Sequence, residues 1–149
     1  MKRKVITALL AATMVASLAV GCGNKGGDSK SDSSKSSSSD EITIGFSQVG
    51  AESDWRTANS ESMKSTFSEK NGYKLIFDDA QQKQENQITA IRNFIQQDVD
   101  YIVLAPVTET GWDTVLKEAK DADIPVIIVD RMIDVSDDSL YTAWVGSNF

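Results

Sequence analysis

Ile124-Pro125-Val126-Ile127-Ile128-Val129-Asp130-Arg131 is the stretch whose reading decides the fold. Ile124 to Val129 is nearly all branched and apolar, without the alternation of a strand that has one wet face, so it reads as a strand buried on both sides. An acid and a base follow at once, in Asp130 and Arg131. A strand of that kind needs cover above and below, which helices packed on a parallel sheet supply.

Working upstream, Thr110 to Ala122 carries Trp112, Val115, Leu116 and Ala119 at helical spacing, and Trp112 reads as packing at the helix entry. Val99 to Ala105 is a further strand bounded by Pro106, and Gln84 to Gln97 is a helix with Ile88, Ile91, Phe94 and Ile95 on one stripe. Its polar opening, Gln81 to Gln87, reads as a solvated helix start. Tyr73 to Phe77 is a strand, Trp55 to Lys70 is a helix stopped by Asn71-Gly72, and Ile42 to Phe46 is the first strand. Downstream, a weaker fifth strand spans Tyr141 to Val145. The fold class is therefore α/β, a parallel sheet with helices on both faces. With no closing helix after Gly146-Ser147-Asn148-Phe149, the chain reads as a fragment of a larger domain.

Residues 1–21 open with Lys2, Arg3 and Lys4, continue through an apolar run from Val5 to Val20, and end on Gly21. This reads as an export signal, too short for a membrane anchor. The chain's one cysteine, Cys22, stands directly after it. Residues 22–40 hold eight serines and no large apolar side chain, so they form a flexible tether to a domain at 41–149. A lone cysteine makes no internal disulfide. Removing Lys2, Arg3 and Lys4 from the 15 basic residues, against 22 acidic ones, takes the formal charge from −7 to −10. Such a surface repels a phosphate backbone, which argues against nucleic acid as a partner. The absence of histidine removes the commonest general base and metal ligand. No glycine-rich phosphate loop, nucleophile elbow or Cys/His cluster is present, so no catalytic residue, metal or cofactor is expected.

In a right-handed β/α sheet the loops leaving the carboxyl ends of the strands gather on one rim. Two are rich in hydrogen-bonding groups: Gly50 to Arg56, and Asp130-Arg131. Glu52 and Asp130 can accept hydroxyl hydrogens, Arg56 and Arg131 offer planar donor forks, and Trp55 offers a flat apolar face. That mixture suits a small polyhydroxylated ligand. The plainer alternatives are that Ser53 or Asp54 caps the next helix, that Trp55 packs into the core, and that Asp130-Arg131 is a solvated turn.

The same residues resemble the type I periplasmic binding proteins, the ribose- and galactose-binding group of bacterial ABC importers. The match runs through Ile44-Gly45-Phe46-Ser47, Gln81 to Gln87, Ala105-Pro106 and Ile124 to Arg131. Phe46 to Ser53 with Trp55-Arg56, together with Thr110-Gly111-Trp112 and Val115 to Lys120, is most similar to the galactofuranose-binding branch. The resemblance implies the N-terminal lobe of a two-lobed sugar clamp, monomeric, with ligand contacts at Glu52, Ser53, Asp54, Trp55, Arg56, Asp130 and Arg131. Asp54 stands where the branch can have glycine, and Ala105 where ribose-type relatives have asparagine, which argues against ribose. Leu18-Ala19-Val20-Gly21-Cys22 resembles the bacterial lipobox, although Ala19 takes the place where leucine is usual. It implies an acylated Cys22 and an extracytoplasmic protein held to the membrane by lipid, while the resemblance to the importer binding proteins implies an ABC permease as partner. The alternatives are a sugar-sensing lobe of a membrane signalling receptor and, behind it, an exported enzyme of similar fold.

Overall fold

The computed structural model of the protein describes residues 41–146. The expected signal (1–21), the tether (22–40) with Cys22, and the last three residues lie outside the described residues. The remainder alternates strand and helix as the apolar pattern requires. The strands are β1 (Ile42–Gln48), β2 (Tyr73–Asp79), β3 (Tyr101–Leu104), β4 (Val126–Val129) and β5 (Ala143–Val145), and the helices are α1 (Asp54–Thr66), α2 (Gln84–Gln96) and α3 (Asp113–Asp121). The five strands form one sheet in the order β2-β1-β3-β4-β5, with every neighbouring pair parallel.

The differences from the sequence expectation lie at element ends, α3 and β5 starting at Asp113 and Ala143 rather than Thr110 and Tyr141, and several have a visible physical cause. β1 and β2 run further than the apolar run because Ser47 and Gln48 pair with Asp78 and Asp79, and backbone pairing is indifferent to side-chain polarity. α1 stops at Thr66 rather than Lys70: Phe67 leaves the helical region and its ring meets Tyr73 edge-on, 5.2 Å between centroids. A short 3-10 turn, Glu69–Asn71, then ends on Gly72 with φ 85°. The expected Asn71-Gly72 stop thus closes the connection rather than the helix itself. β3 and β4 begin two residues later than their apolar runs, because Val99 N–H donates to Phe94 O and Ile124 N–H to Ala119 O, closing the preceding helices. Asp98 (φ 52°) and Asp123 (φ 59°) turn the chain there, in a left-handed conformation that aspartate tolerates.

The sheet divides two cores, as a doubly covered sheet must. On one face α2 and α3 press Ile91, Phe94, Val115, Leu116 and Ala119 onto Ile102, Leu104, Val126 and Ile128. Trp112 is wholly buried there, its Nε1–H donating to Thr108 O at 2.9 Å, which bears out the packing role expected of it. On the other face Met63 of α1 and Phe67 just after it pack against Ile44, Phe46, Leu75, Phe77 and Val103. This second face is less completely covered. Ile42 and Tyr101 stay exposed, beside a cleft of about 280 Å³ floored by Ile44, Val103 and Ile127.

Gly45 shows how closely α2 sits on the sheet: a β-carbon there would come 2.6 Å from Phe94 Cδ2. Gly45→Ala therefore forces the aromatic ring or the helix outward. We expect a loss of about 1–3 kcal/mol in denaturant unfolding, as for other overpacked cores, and an unchanged midpoint would show that Phe94 repacks freely.

Candidate functional site

Because all five strands are parallel, their carboxyl ends share one edge, and the loop after β1 leads straight into α1. Ser53 begins that helix, with extended backbone angles and its Oγ accepting from Arg56 N–H at 3.2 Å. The capping role is thus present, and Asp54 sits in the first turn, where its charge favours the helix N-terminus. Successive helical residues point about 100° apart, so Trp55 and Arg56 face opposite environments. Trp55 is 54% exposed and does not join the core, whereas Arg56 is 5% exposed.

A shielded guanidinium has to be met by charge. Arg56 Nε donates to Glu52 Oε1 at 3.1 Å, and Nη1 stands 2.7 Å from Asp130 Oδ2. The second contact is a charge contact off the N–H axis, since Asp130 Oδ2 makes no aligned hydrogen bond. β3 lies between β1 and β4, so the Arg56 side chain reaches across its end to meet an acid that follows β4. The side chains of Glu52 and Asp130 keep 31% and 27% of their surface accessible. Arg56 Cζ also lies 5.0 Å from the Trp55 ring centroid. Chemically the group is an open polar shelf: two oriented carboxylates beside one guanidinium, with an exposed indole at its side. One positive charge against two negative ones leaves it unfavourable to anions.

Gln48 belongs to this group and was not among the sequence candidates. It is fully buried: its Oε1 accepts from Val49 N–H at 3.0 Å and lies 3.5 Å from Arg56 Nη1, while its Nε2 donates to Asn59 Oδ1 at 2.8 Å. The available signal was an amide two residues beyond the apolar run Ile42 to Phe46. Gln87 corrects the reading of Gln81 to Gln87 as a solvated helix start. It is fully buried, donating to Ala105 O at 2.7 Å and accepting from Val107 N–H at 2.9 Å, so it ties α2 to the loop after β3. Its spacing from Ile91 and Phe94 places it on the apolar stripe of α2, a clue that its polarity concealed. Gln84 likewise reaches across to Thr110 O at 2.7 Å.

Arg131 stands apart from the Arg56 group. It is exposed, its Nη1 lies 3.4 Å from Val107 O, and it borders an open cleft of about 440 Å³ with Glu109, Met132, Ile133 and Asp134. Glu52, Ser53, Asp54, Trp55, Arg56 and Asp130 therefore gather around the start of α1 and the end of β4, with Arg131 one residue beyond and facing the β3 loop. Among the described residues no group of three or more His, Cys, Asp or Glu side chains is arranged to hold a metal ion.

A doubly covered parallel sheet with a polar shelf on its carboxyl edge is the α/β architecture seen here. The chain belongs to the periplasmic binding protein domain family, which matches residues 44–149. It is 59% identical over 107 residues to the galactofuranose-binding protein YtfQ of Escherichia coli, covering 72% of this chain and 33% of that protein. A solved structure from Mycobacterium smegmatis in complex with β-D-fucofuranose is 56% identical with a TM-score of 0.69, over 71% of this chain and 34% of that one. The binding-protein component of a Shewanella arabinose ABC transporter, solved with α- and β-L-arabinofuranose, is 61% identical with a TM-score of 0.67, over 70% and 34%. The chain thus spans about a third of the length of these relatives.

Below the shelf, Asp78 at the end of β2 sits beside Ser47 in the strand register. Ser47 Oγ and Asp78 Oδ2 are both buried and close no hydrogen bond of normal geometry. Burial first, and then the neighbouring Asp79, push the Asp78 carboxyl above its ordinary value of 3.8, and the Ser47 hydroxyl offsets part of this. The folded protein therefore holds this proton more tightly than the unfolded chain does, and the contribution to stability falls as pH rises above 3.8. Asp78→Asn should raise the thermal midpoint at about pH 7 and leave it unchanged at about pH 3, where both states are protonated. A lower midpoint at neutral pH would mean that the ionised carboxylate has a partner it needs.

Proposed function

We propose that this lobe forms one wall of a sugar-binding site in a lipid-anchored, extracytoplasmic binding protein that delivers a furanose monosaccharide to an ABC permease. The observation that carries the reading is the Arg56 guanidinium held between Glu52 and Asp130, with Trp55 exposed at its side. Neighbouring hydroxyls of a small sugar present donors and acceptors on one edge and C–H groups on a face. Glu52 and Asp130 accept from the hydroxyls, Arg56 and Arg131 donate to ring or hydroxyl oxygens, and the indole of Trp55 receives the C–H face. Ser53 and Asp54 line the rim, the single capping bond of Ser53 and the first-turn position of Asp54 leaving lone pairs for a ligand. A galactofuranose-binding relative and two solved relatives in complex with fucofuranose and arabinofuranose support the five-membered ring form as the class of ligand.

The chemistry is recognition rather than turnover. Arg56 orients both carboxylates as acceptors, and a neutral ligand suits a shelf of net negative charge. The signal at 1–21 and the serine-rich tether at 22–40 support export and anchoring through an acylated Cys22, with two acyl chains giving stable attachment where one is marginal.

Calorimetry of the full-length mature protein against galactofuranose-containing sugars, arabinose, ribose and galactopyranose tests the ligand. Binding that favours the furanose forms is expected, and binding to none of them overturns the reading. Arg56→Lys replaces the planar fork with a point charge and should weaken binding by about ten-fold or more. For the anchor, Cys22→Ser should leave the protein released from the membrane or unprocessed, and normal retention of that variant excludes lipidation.

A further inference from the structure

We infer that Gly146 is a positioning residue for Asp130, acting through its lack of a side chain. The inference rests on the reading that Asp130 contacts the ligand, and it concerns what places that carboxylate. Asp130 is the first residue after β4 and holds φ 69°, a left-handed conformation that costs most residues energy and aspartate less. Its N–H donates to Val145 O at 2.9 Å, so the turn after β4 is pinned to β5. The next residue along, Gly146, closes the arrangement. A β-carbon there would lie 2.6 Å from the Asp130 carbonyl oxygen and would run into the Trp144 indole.

Gly146 does not owe its identity to a backbone conformation, since it is not among the glycines of positive φ. The close approach of the Asp130 peptide is what excludes a side chain. Two neighbours would meet an added methyl, and they differ in how they can yield. The Trp144 ring is 40% exposed and can swing outward. The Asp130 carbonyl, which belongs to the following peptide, can yield only by turning about ψ of Asp130, because Val129 pairs with Val145 and the Asp130 N–H is bonded to the same strand. A methyl at 146 therefore moves the Asp130 peptide, and the displacement passes to a carboxylate 2.7 Å from Arg56 Nη1.

The test uses Gly146→Ala, Trp144→Ala and the double variant in the full-length protein, read by calorimetry with the furanose that the wild type binds best. Gly146→Ala should weaken binding by about ten-fold or more, Trp144→Ala by little, and the double variant should stay weak because the carbonyl contact persists. Recovery of wild-type affinity in the double variant overturns the inference, since the indole alone would then be at fault. In an Asp130→Gly background, which accepts φ 69° without a carboxylate, Gly146→Ala should add almost nothing; additive losses would show that it acts elsewhere. The added methyl meets one carbonyl and one indole, so the alanine variant is expected to melt within a few degrees of wild type, and a variant that fails to fold also overturns the inference. The Asp130 carboxyl carbon resonance, recorded without sugar, should shift in Gly146→Ala and stay put in Trp144→Ala. That readout separates this inference from the proposed function: if no sugar binds, the ligand reading fails while the resonance still decides whether Gly146 sets Asp130.

Discussion

A guanidinium almost wholly withdrawn from water must have its charge met by nearby groups, and in this lobe they come from distant parts of the chain. Glu52 lies one helical turn before Arg56, while Asp130 arrives from beyond β4. Leaving either carboxylate out would strand a buried charge at a cost that surface pairs do not carry. The ion pairs therefore join two β/α units as well as shaping a surface. The side chain spans the end of β3 only because β1 and β4 flank that strand. The order of strands and the polar shelf are thus one geometric fact.

Beneath the shelf, buried amides do what apolar packing cannot. Gln48 and Gln87 lie on opposite faces of the sheet, one toward α1 and the other on α2. Each has its carbonyl and its NH₂ engaged, so neither stands as an unpartnered polar group in a core. Gln48 holds the backbone at the exit of β1 and faces Arg56, and Gln87 ties the loop after β3 to its helix. A hydrophobic side chain of similar size would fill the space without fixing the loops. Rigid loops on one edge are what allow a small ligand to meet preset donors and acceptors.

Much of this was legible in the residues alone. The apolar run Ile124 to Val129 required cover on both faces, the stripes of α2 and α3 supplied it on one side, and the rim loops carried most of the residues that the fold gathers. Element ends were less legible, because Ser47, Gln48, Asp78 and Asp79 extend a ladder through backbone bonds that hydropathy does not register. Gln87 sits on an apolar stripe, and its burial depended on carbonyls at Ala105 and an amide at Val107 that no local pattern reveals.

By itself, the order of residues determined the alternation of strands and helices, the parallel sheet and the chemical types on its rim, because periodicity and side-chain chemistry are local properties. Only the tertiary structure decided which of those rim residues meet. It turned Trp55 outward and Arg56 inward, joined Arg56 to Asp130 and left Arg131 aside. Such contacts depend on strand order and on the direction in which each side chain leaves its backbone. They join residues far apart in the chain, and nothing in the text of either segment names the other.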